Sequence, residues 1–391
     1  MDTPVPVRSS IEEIAEYKPG RLVEGAGAIK LSSNENPLGP SPEVVRVIID
    51  SLEVDRLKLS IYPRKRDEVE LRAAIAGYLG ASTDTDTDTD IDIDPESIVI
   101  GAGIDGVLDT IVKIFISAVN GDEAVIPVPT FSLYETLVKI AGGTPRYITR
   151  RRDADFDIPL TKLIAACNEK TRLIFIASPN NPTGNCIAES DVRALAESVA
   201  GTTMVVIDEA YVEFAGADAD ADASSNVNVS STSLVNLVNE YENLLVLRTF
   251  SKAFGLAGLR IGYAVIPEWL VSVYNKVAIP FSVNNLGLKA AAAALKDKVH
   301  LRRSISVVKS GRAFLTQNLR GLFTVYPSQA NFLLLDVAPK RSYEVCDALE
   351  EYGIAVRDCS SFRGAGDSLV RISVGTREQN AKVVAALKGI G

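Results

Sequence analysis

From about residue 97 the chain repeats one phrase: a short unbroken apolar run, a turn of Gly, Pro, Ser or Asn, then apolar residues at helical spacing. SIVIGAGIDGVLDTIVKIF and EAVIPVPTFSLYETLVKIAG both follow it. RLIFIASPNNPTG is a strand running into a rigid polar loop, MVVIDEAY ends a strand on an acid, and LLVLRTFSK ends one on a lysine. Continuous apolar strands alternating with amphipathic helices predict an α/β fold built on a mostly parallel sheet covered on both faces. In such sheets ligands bind outside the carboxyl ends of the strands. Asp105, Phe131, Asn181, Asp208, Ser251 and Lys252 all fall there.

After about residue 283 the texture changes. A long helical pattern, NNLGLKAAAAALKDKVHLRRSISVVKSGRAFLTQNL, leads to the short strands NFLLLDV, GIAVRDC and LVRISVG and a last helix. This predicts a large domain over 41–282 and a smaller α+β domain over 283–391, joined by the N-terminal segment 1–40. Two stretches interrupt the pattern, 82–94 and 215–233, where aspartate alternates with small or β-branched residues. Repelling, well-solvated charges of this kind predict surface insertions. They lack the glycine and final glutamate of a calcium loop.

Those insertions also explain the charge. The formal net charge is −9, and without the nine aspartates at 84–94 and 218–222 acids and bases balance at 41 each. No basic stripe points to nucleic acid. No run approaches the ~18 apolar residues of a membrane span. The first twenty residues lack the basic and apolar segments of a secretory signal, so the cytoplasm is the expected compartment. The four cysteines have no CxxC spacing, which argues against zinc and a disulfide framework. The single histidine, His300, lies in a charged helical stretch and is expected to be solvated. Its isolation excludes a Ser-His or Cys-His triad, so a general base must be a lysine, acid, tyrosine or cysteine.

Lys252 is therefore the residue to weigh. A lysine at a strand end, partly desolvated, can lose its proton and attack an aldehyde carbon. Pyridoxal phosphate offers such an aldehyde, and needs an acid near its ring nitrogen, a stacking partner and a phosphate cradle. Asp208 suits the ring nitrogen, Asn181 and Tyr211 the phenolic oxygen, and Phe131 the ring face. Ser251 and Arg260 offer phosphate donors. The turn Gly101–Gly106, with Gly103, Ile104 and Asp105 opening a helix, adds backbone N–H groups at the positive end of a dipole. Each residue alone also has a plain reading: Asn181 in a turn, Phe131 in a core, Asp208 as a helix cap, Arg357 and Arg371 in surface ion pairs. The turn matches G-x-G-x-x-G, but Asp122 and Glu123 precede the next strand instead of ending it, which weakens a dinucleotide reading.

SSNENPLGP, IYPR, SPNNPTG, DEAY, TFSKAFGLAGLRIGY and VRD…VRISVGT together resemble the fold-type-I pyridoxal phosphate aminotransferases, and among them the histidinol-phosphate aminotransferases. The resemblance runs over nearly the whole chain outside the two acidic insertions. It implies that Lys252 binds the cofactor covalently and then moves the substrate proton, with Asp208 and Tyr211 assisting. It implies a homodimer in which Tyr62 reaches the cofactor phosphate of the other subunit. Arg371 would bind the carboxylate of glutamate and, in the other half-reaction, the phosphate of histidinol phosphate, with Arg357 assisting and Asn34 near the substrate mouth. The implied reaction exchanges an amino group between glutamate/2-oxoglutarate and histidinol phosphate/imidazole acetol phosphate. A threonine-phosphate decarboxylase and an aromatic amino acid aminotransferase are the alternatives within the fold. GAGIDG departs from the family's usual G-N-G-x-D-E, which affects a side-chain role at Gly106 but not the backbone donors.

Overall fold

The computed structural model describes residues 5, 7–25, 27–54, 59–80, 92–216 and 233–390. Of the two expected acidic insertions, 82–91 and 217–232 lie outside these residues. The described chain forms thirteen strands: β1 (Ile29–Lys30), β2 (Ile98–Gly101), β3 (Glu123–Val128), β4 (Thr144–Thr149), β5 (Thr171–Ala177), β6 (Met204–Asp208), β7 (Leu244–Thr249), β8 (Gly262–Val265), β9 (Thr324–Val325), β10 (Phe332–Asp336), β11 (Ile354–Ala355), β12 (Arg357–Asp358) and β13 (Leu369–Ser373). The helices are α1 (Ser9–Glu12), α2 (Pro42–Val54), α3 (Lys65–Gly80), α4 (Gly103–Phe115), α5 (Leu133–Ala141), α6 (Leu160–Ala165), α7 (Glu189–Ser198), α8 (Glu268–Val277), α9 (Asn285–Lys296), α10 (Lys298–Leu319), α11 (Ser342–Glu351) and α12 (Arg377–Ile390).

The central sheet has seven strands in the order β2-β8-β7-β6-β5-β3-β4. All its pairings are parallel except those of β8, which runs antiparallel to both β2 and β7. β6 and β7 are buried at every position, as strands covered on both faces must be. β4, at the edge, has no fully buried position. α4 shows how the cover is built: Ile104, Val107, Leu108, Ile111 and Val112 recur at i, i+3, i+4, i+7 and i+8, and all are buried. Burying one such side chain contributes about 1.5–3 kcal/mol. The α-to-sheet packing is therefore the main force holding this layer.

The C-terminal strands form a four-stranded antiparallel sheet, β12-β13-β10-β9. β1, from the N-terminal segment, pairs in parallel with β11 through Ile29 and Ile354. Two elements differ from the sequence pattern. GIAVRDC is read as one strand, but the chain changes sheets at Val356: β11 pairs with β1 and β12 with β13. The long helical pattern from residue 284 breaks at Asp297. There Asp297 Oδ1 accepts from His300 N at 3.0 Å and caps α10, as Asn284 caps α9.

Candidate active site

The carboxyl ends of β5, β6 and β7, the start of α4 and the loop before α5 surround a cavity of about 260 Å³. Its far wall comes from Ser32–Asn34 and from Arg357 and Arg371 of the C-terminal sheet. Of the residues singled out in the sequence, the cavity gathers Asn34, Ile104, Asp105, Phe131, Asn181, Asp208, Tyr211, Ser251, Lys252, Arg260, Arg357 and Arg371. Gly103 lies just outside it, at the first turn of α4. Tyr62 does not reach it: it is 73% exposed and stacks on Phe281, centroids 4.6 Å apart.

At one end of the cavity Lys252 Nζ donates to Ser33 O at 3.3 Å and lies 5.6 Å from the centre of the Tyr211 ring. Burial, and then the charge of Arg371, push its pKa down to about 8. A lysine so placed loses its proton far more readily than a solvated one and can act as a nucleophile. Asp208, the last residue of β6, is buried, and burial raises its carboxyl to about 6. Its Oδ2 accepts from Tyr134 Oη at 2.5 Å and its Oδ1 from Ala210 N at 3.0 Å. The Tyr211 hydroxyl accepts from Asn34 Nδ2 at 3.1 Å. Asn34 Oδ1 in turn accepts from Ser373 Oγ at 2.9 Å. Asn34 lines the cavity while almost fully buried, its amide nitrogen donating to Tyr211 and its oxygen accepting from Ser373.

Arg260 closes the other side. Its Nη2 donates to Asp105 Oδ2 at 2.6 Å across the start of α4. Gly103 takes φ +73, and a Cβ there would lie 2.8 Å from Arg260 Nη2. Gly262 lets β8 approach the same turn, since its Cβ would stand 2.6 Å from Ile104 N. The helix start is thus an open cradle of backbone N–H groups with a guanidinium beside it, suited to an anion.

Arg371 donates through Nη1 to Asn181 Oδ1 and through Nη2 to Ser32 O at 2.7 Å, while Nε has no partner, and its charge is the one that acts most strongly on Lys252. The Asn181 carbonyl is thereby turned to Arg371, which leaves its NH2 as the group free to donate. Arg371 makes no ion pair among the described residues, and burial lowers its pKa. Arg357 donates to Lys18 O at 2.7 Å and to Ser361 Oγ at 3.2 Å, and its guanidinium lies 5.3 Å from the Phe362 ring.

Among the residues missed in the sequence, Tyr134 and Tyr17 line the same cavity. Tyr134 lies three positions beyond Phe131 in TFSLY, and that spacing was its available signal. Tyr17 comes from the N-terminal segment, which has no periodicity to mark it. His300, expected in solvent, is half-buried with Nε2 3.1 Å from Gly39 O.

The residues present fit pyridoxal phosphate: a partly desolvated lysine, a buried acid, an anion cradle at a glycine turn and an orphaned arginine nitrogen share one cavity. Residues 26–387 match the family model of aminotransferase class I and II, and the chain belongs to that family. The chain is 42% identical over 397 residues to the histidinol-phosphate aminotransferase of Methanosarcina barkeri, covering 99% of this chain and 98% of the relative. It is similar in structure to a histidinol-phosphate aminotransferase of Sinorhizobium meliloti solved with pyridoxal-5'-phosphate: TM-score 0.77, 24% identity, all of both chains. An L-threonine-O-3-phosphate decarboxylase of Porphyromonas gingivalis also shares the fold: TM-score 0.73, 22% identity, 93% of this chain and 99% of that one. No helix among the described residues is long and apolar enough to cross a membrane.

Proposed function

We propose that this protein uses pyridoxal phosphate to exchange an amino group between glutamate/2-oxoglutarate and histidinol phosphate/imidazole acetol phosphate. The observation that carries the reading is one cavity lined by Lys252, Asp208 and a buried Arg371 that makes no ion pair among the described residues. The extent of similarity to histidinol-phosphate aminotransferases of known name supports the choice of substrate. When bound, pyridoxal phosphate supplies a reactive aldehyde carbon and a ring that withdraws electrons.

The chain's own residues would do the rest. Lys252 Nζ would hold the cofactor covalently and, once freed by a substrate amine, carry the proton between the two carbons that flank the transferred nitrogen. Asp208 would pair with the ring nitrogen, Asn181 Nδ2 and Tyr211 Oη with the phenolic oxygen, and Phe131 with the ring face. Ser251, Arg260 and the N–H groups of Gly103–Asp105 would bind the phosphate. Arg371 would take the carboxylate of glutamate in one half-reaction and the phosphate of histidinol phosphate in the other, with Arg357 beside it. Tyr62, exposed and outside its own chain's cavity, would serve the partner's site in a cytoplasmic homodimer.

The test is a half-reaction panel on purified protein, following the visible absorbance of the bound cofactor. Glutamate and histidinol phosphate are expected to convert it, threonine phosphate to release no CO₂, and phenylalanine to react far more slowly. The Lys252→Ala variant is expected to show no turnover. Sustained activity in that variant, or CO₂ release from threonine phosphate without any glutamate dependence, overturns the proposal.

A further inference from the structure

Nothing in the sequence reading gave Tyr134 a role, yet it makes a short contact with the acid of the site. Its hydroxyl donates to Asp208 Oδ2 at 2.5 Å, while Asp208 Oδ1 is held by Ala210 N at 3.0 Å. Both carboxylate oxygens are therefore fixed, one by the backbone of the same turn and one by α5. The tyrosine is held too. Its ring stacks face to face on Phe175 of β5, centroids 4.9 Å apart and planes 4° apart, and meets Phe131 edge-on at 5.7 Å. One buried aromatic thus touches both the acid and the aromatic assigned to the cofactor ring.

We propose that Tyr134 is a positioning residue: held by Phe175, its hydroxyl fixes the rotation of the Asp208 carboxylate and keeps it charged toward the cofactor's ring nitrogen. The inference rests on Asp208 facing that nitrogen, as set out above. A carboxylate without water is neutralised easily, and burial already raises Asp208 to about 6. The hydrogen bonds from Tyr134 and Ala210 N oppose that rise, as does Lys252 from the turn after β7, whereas Asp105 of α4 adds to it. On the far side Tyr134 faces Arg150 at the end of β4 and, within the cavity, Tyr211. Burial and the charge of Asp208 hold the Tyr134 phenol well above its usual range. It therefore stays protonated, as a donor to Asp208, around neutral pH.

Tyr134→Phe keeps the stacked ring and removes only the donor. In the purified holoenzyme the equilibrium constant for pyridoxal phosphate release is expected to rise about tenfold, the size of one charge-assisted hydrogen bond. The pH midpoint of the bound cofactor's visible band is expected to move upward, because a ring nitrogen less firmly protonated withdraws fewer electrons. On an Asp208→Asn background the same substitution is expected to change cofactor release less than about twofold, since the coupled charge is gone. A merely structural tyrosine would cost the same on both backgrounds. Replacing Tyr134 by a difluorotyrosine, a stronger donor of nearly the same shape, is expected to move the midpoint downward and gives a readout even if the phenylalanine variant folds poorly. A parent that takes up no pyridoxal phosphate overturns the proposed function and this inference together. A parent that binds it, with variants that release it and titrate like the parent, overturns the inference alone.

Discussion

Among the deeply buried arginines, Arg248 and Arg371, at 1% and 5% exposure, keep opposite company. Arg248, on β7, has Nε 3.2 Å from Glu209 Oε2 and Nη2 3.7 Å from Glu213 Oε1, with the Tyr78 ring 6.0 Å away. Burial works to lower its pKa, but Tyr263, Glu213, Glu209 and Tyr78 reverse the effect and the net shift is upward. Arg371, on β13, meets only an amide oxygen and a carbonyl, makes no ion pair among the described residues, and shifts downward. Both arginines keep a buried nitrogen without a hydrogen bond, but only Arg248 has carboxylates beside it. A buried charge without a counter-ion is costly, and such a site persists where a ligand completes it. The first arginine has its anions within the fold; the second faces the cavity without one. What separates these two arginines is the company each keeps, since burial is nearly the same. Arg150 is also buried without an ion pair among the described residues but does not line the cavity, so it is the cavity that marks Arg371.

The largest effect that separates the two is on activity. Arg371→Met is expected to lower kcat/KM for both amino donors by roughly 10³-fold, the loss of a buried, hydrogen-bonded partner to an anion. Its melting temperature should stay close to the parent's, because an uncompensated buried charge leaves with the side chain. Arg248→Met should do the reverse. Stripping Glu209 and Glu213 of their cation is expected to cost about 3–5 kcal/mol of folding stability by urea titration, with the folded fraction turning over nearly normally. Adding Glu209→Gln and Glu213→Gln to that variant should recover most of the loss. Equal stability losses in the two single variants would erase the distinction.

A smaller effect comes from Asp208 in the cofactor-free protein. Its folded pKa, about 6, lies above the ordinary aspartate value of 3.8, so the folded state holds the proton more tightly than the unfolded chain. Its contribution to stability is therefore present below about pH 4 and lost as pH rises through about 6, by up to roughly 3 kcal/mol. Asp208→Asn removes that slope, so the variant should gain on the parent between pH 4 and 7. Parallel stability profiles would show that Asp208 does not titrate in this window.

The same contrast decides what the sequence could reveal. Lys252, Asp208 and Asn181 follow apolar runs, so the strand pattern and the rule of ligands at strand ends located them without any knowledge of the packing. Arg248 sits inside such a run with nothing local to explain it, because Glu209 follows the end of β6 and Glu213 lies in the turn beyond it. Arg371 and Arg357 stood out only through the resemblance, since nothing local tells a cavity arginine from a surface one. The tie from Asn34 to Tyr211 and Ser373 joins three segments, and the sheet change at Val356 depends on β1, some 325 residues earlier in the chain. Tyr134 was hidden by its resemblance to any core aromatic on an amphipathic helix.

The most direct measurement is the single-turnover rate of glutamate and of histidinol phosphate, taken separately, in the parent and in Arg371→Lys. A lysine keeps the charge but not the fork, so both rates are expected to fall together, by roughly 10–100-fold, with unfolding unchanged. If one donor slows and the other reacts at the parental rate, the two anions are held by different groups, and Arg371 is not the shared site its unpaired burial indicates.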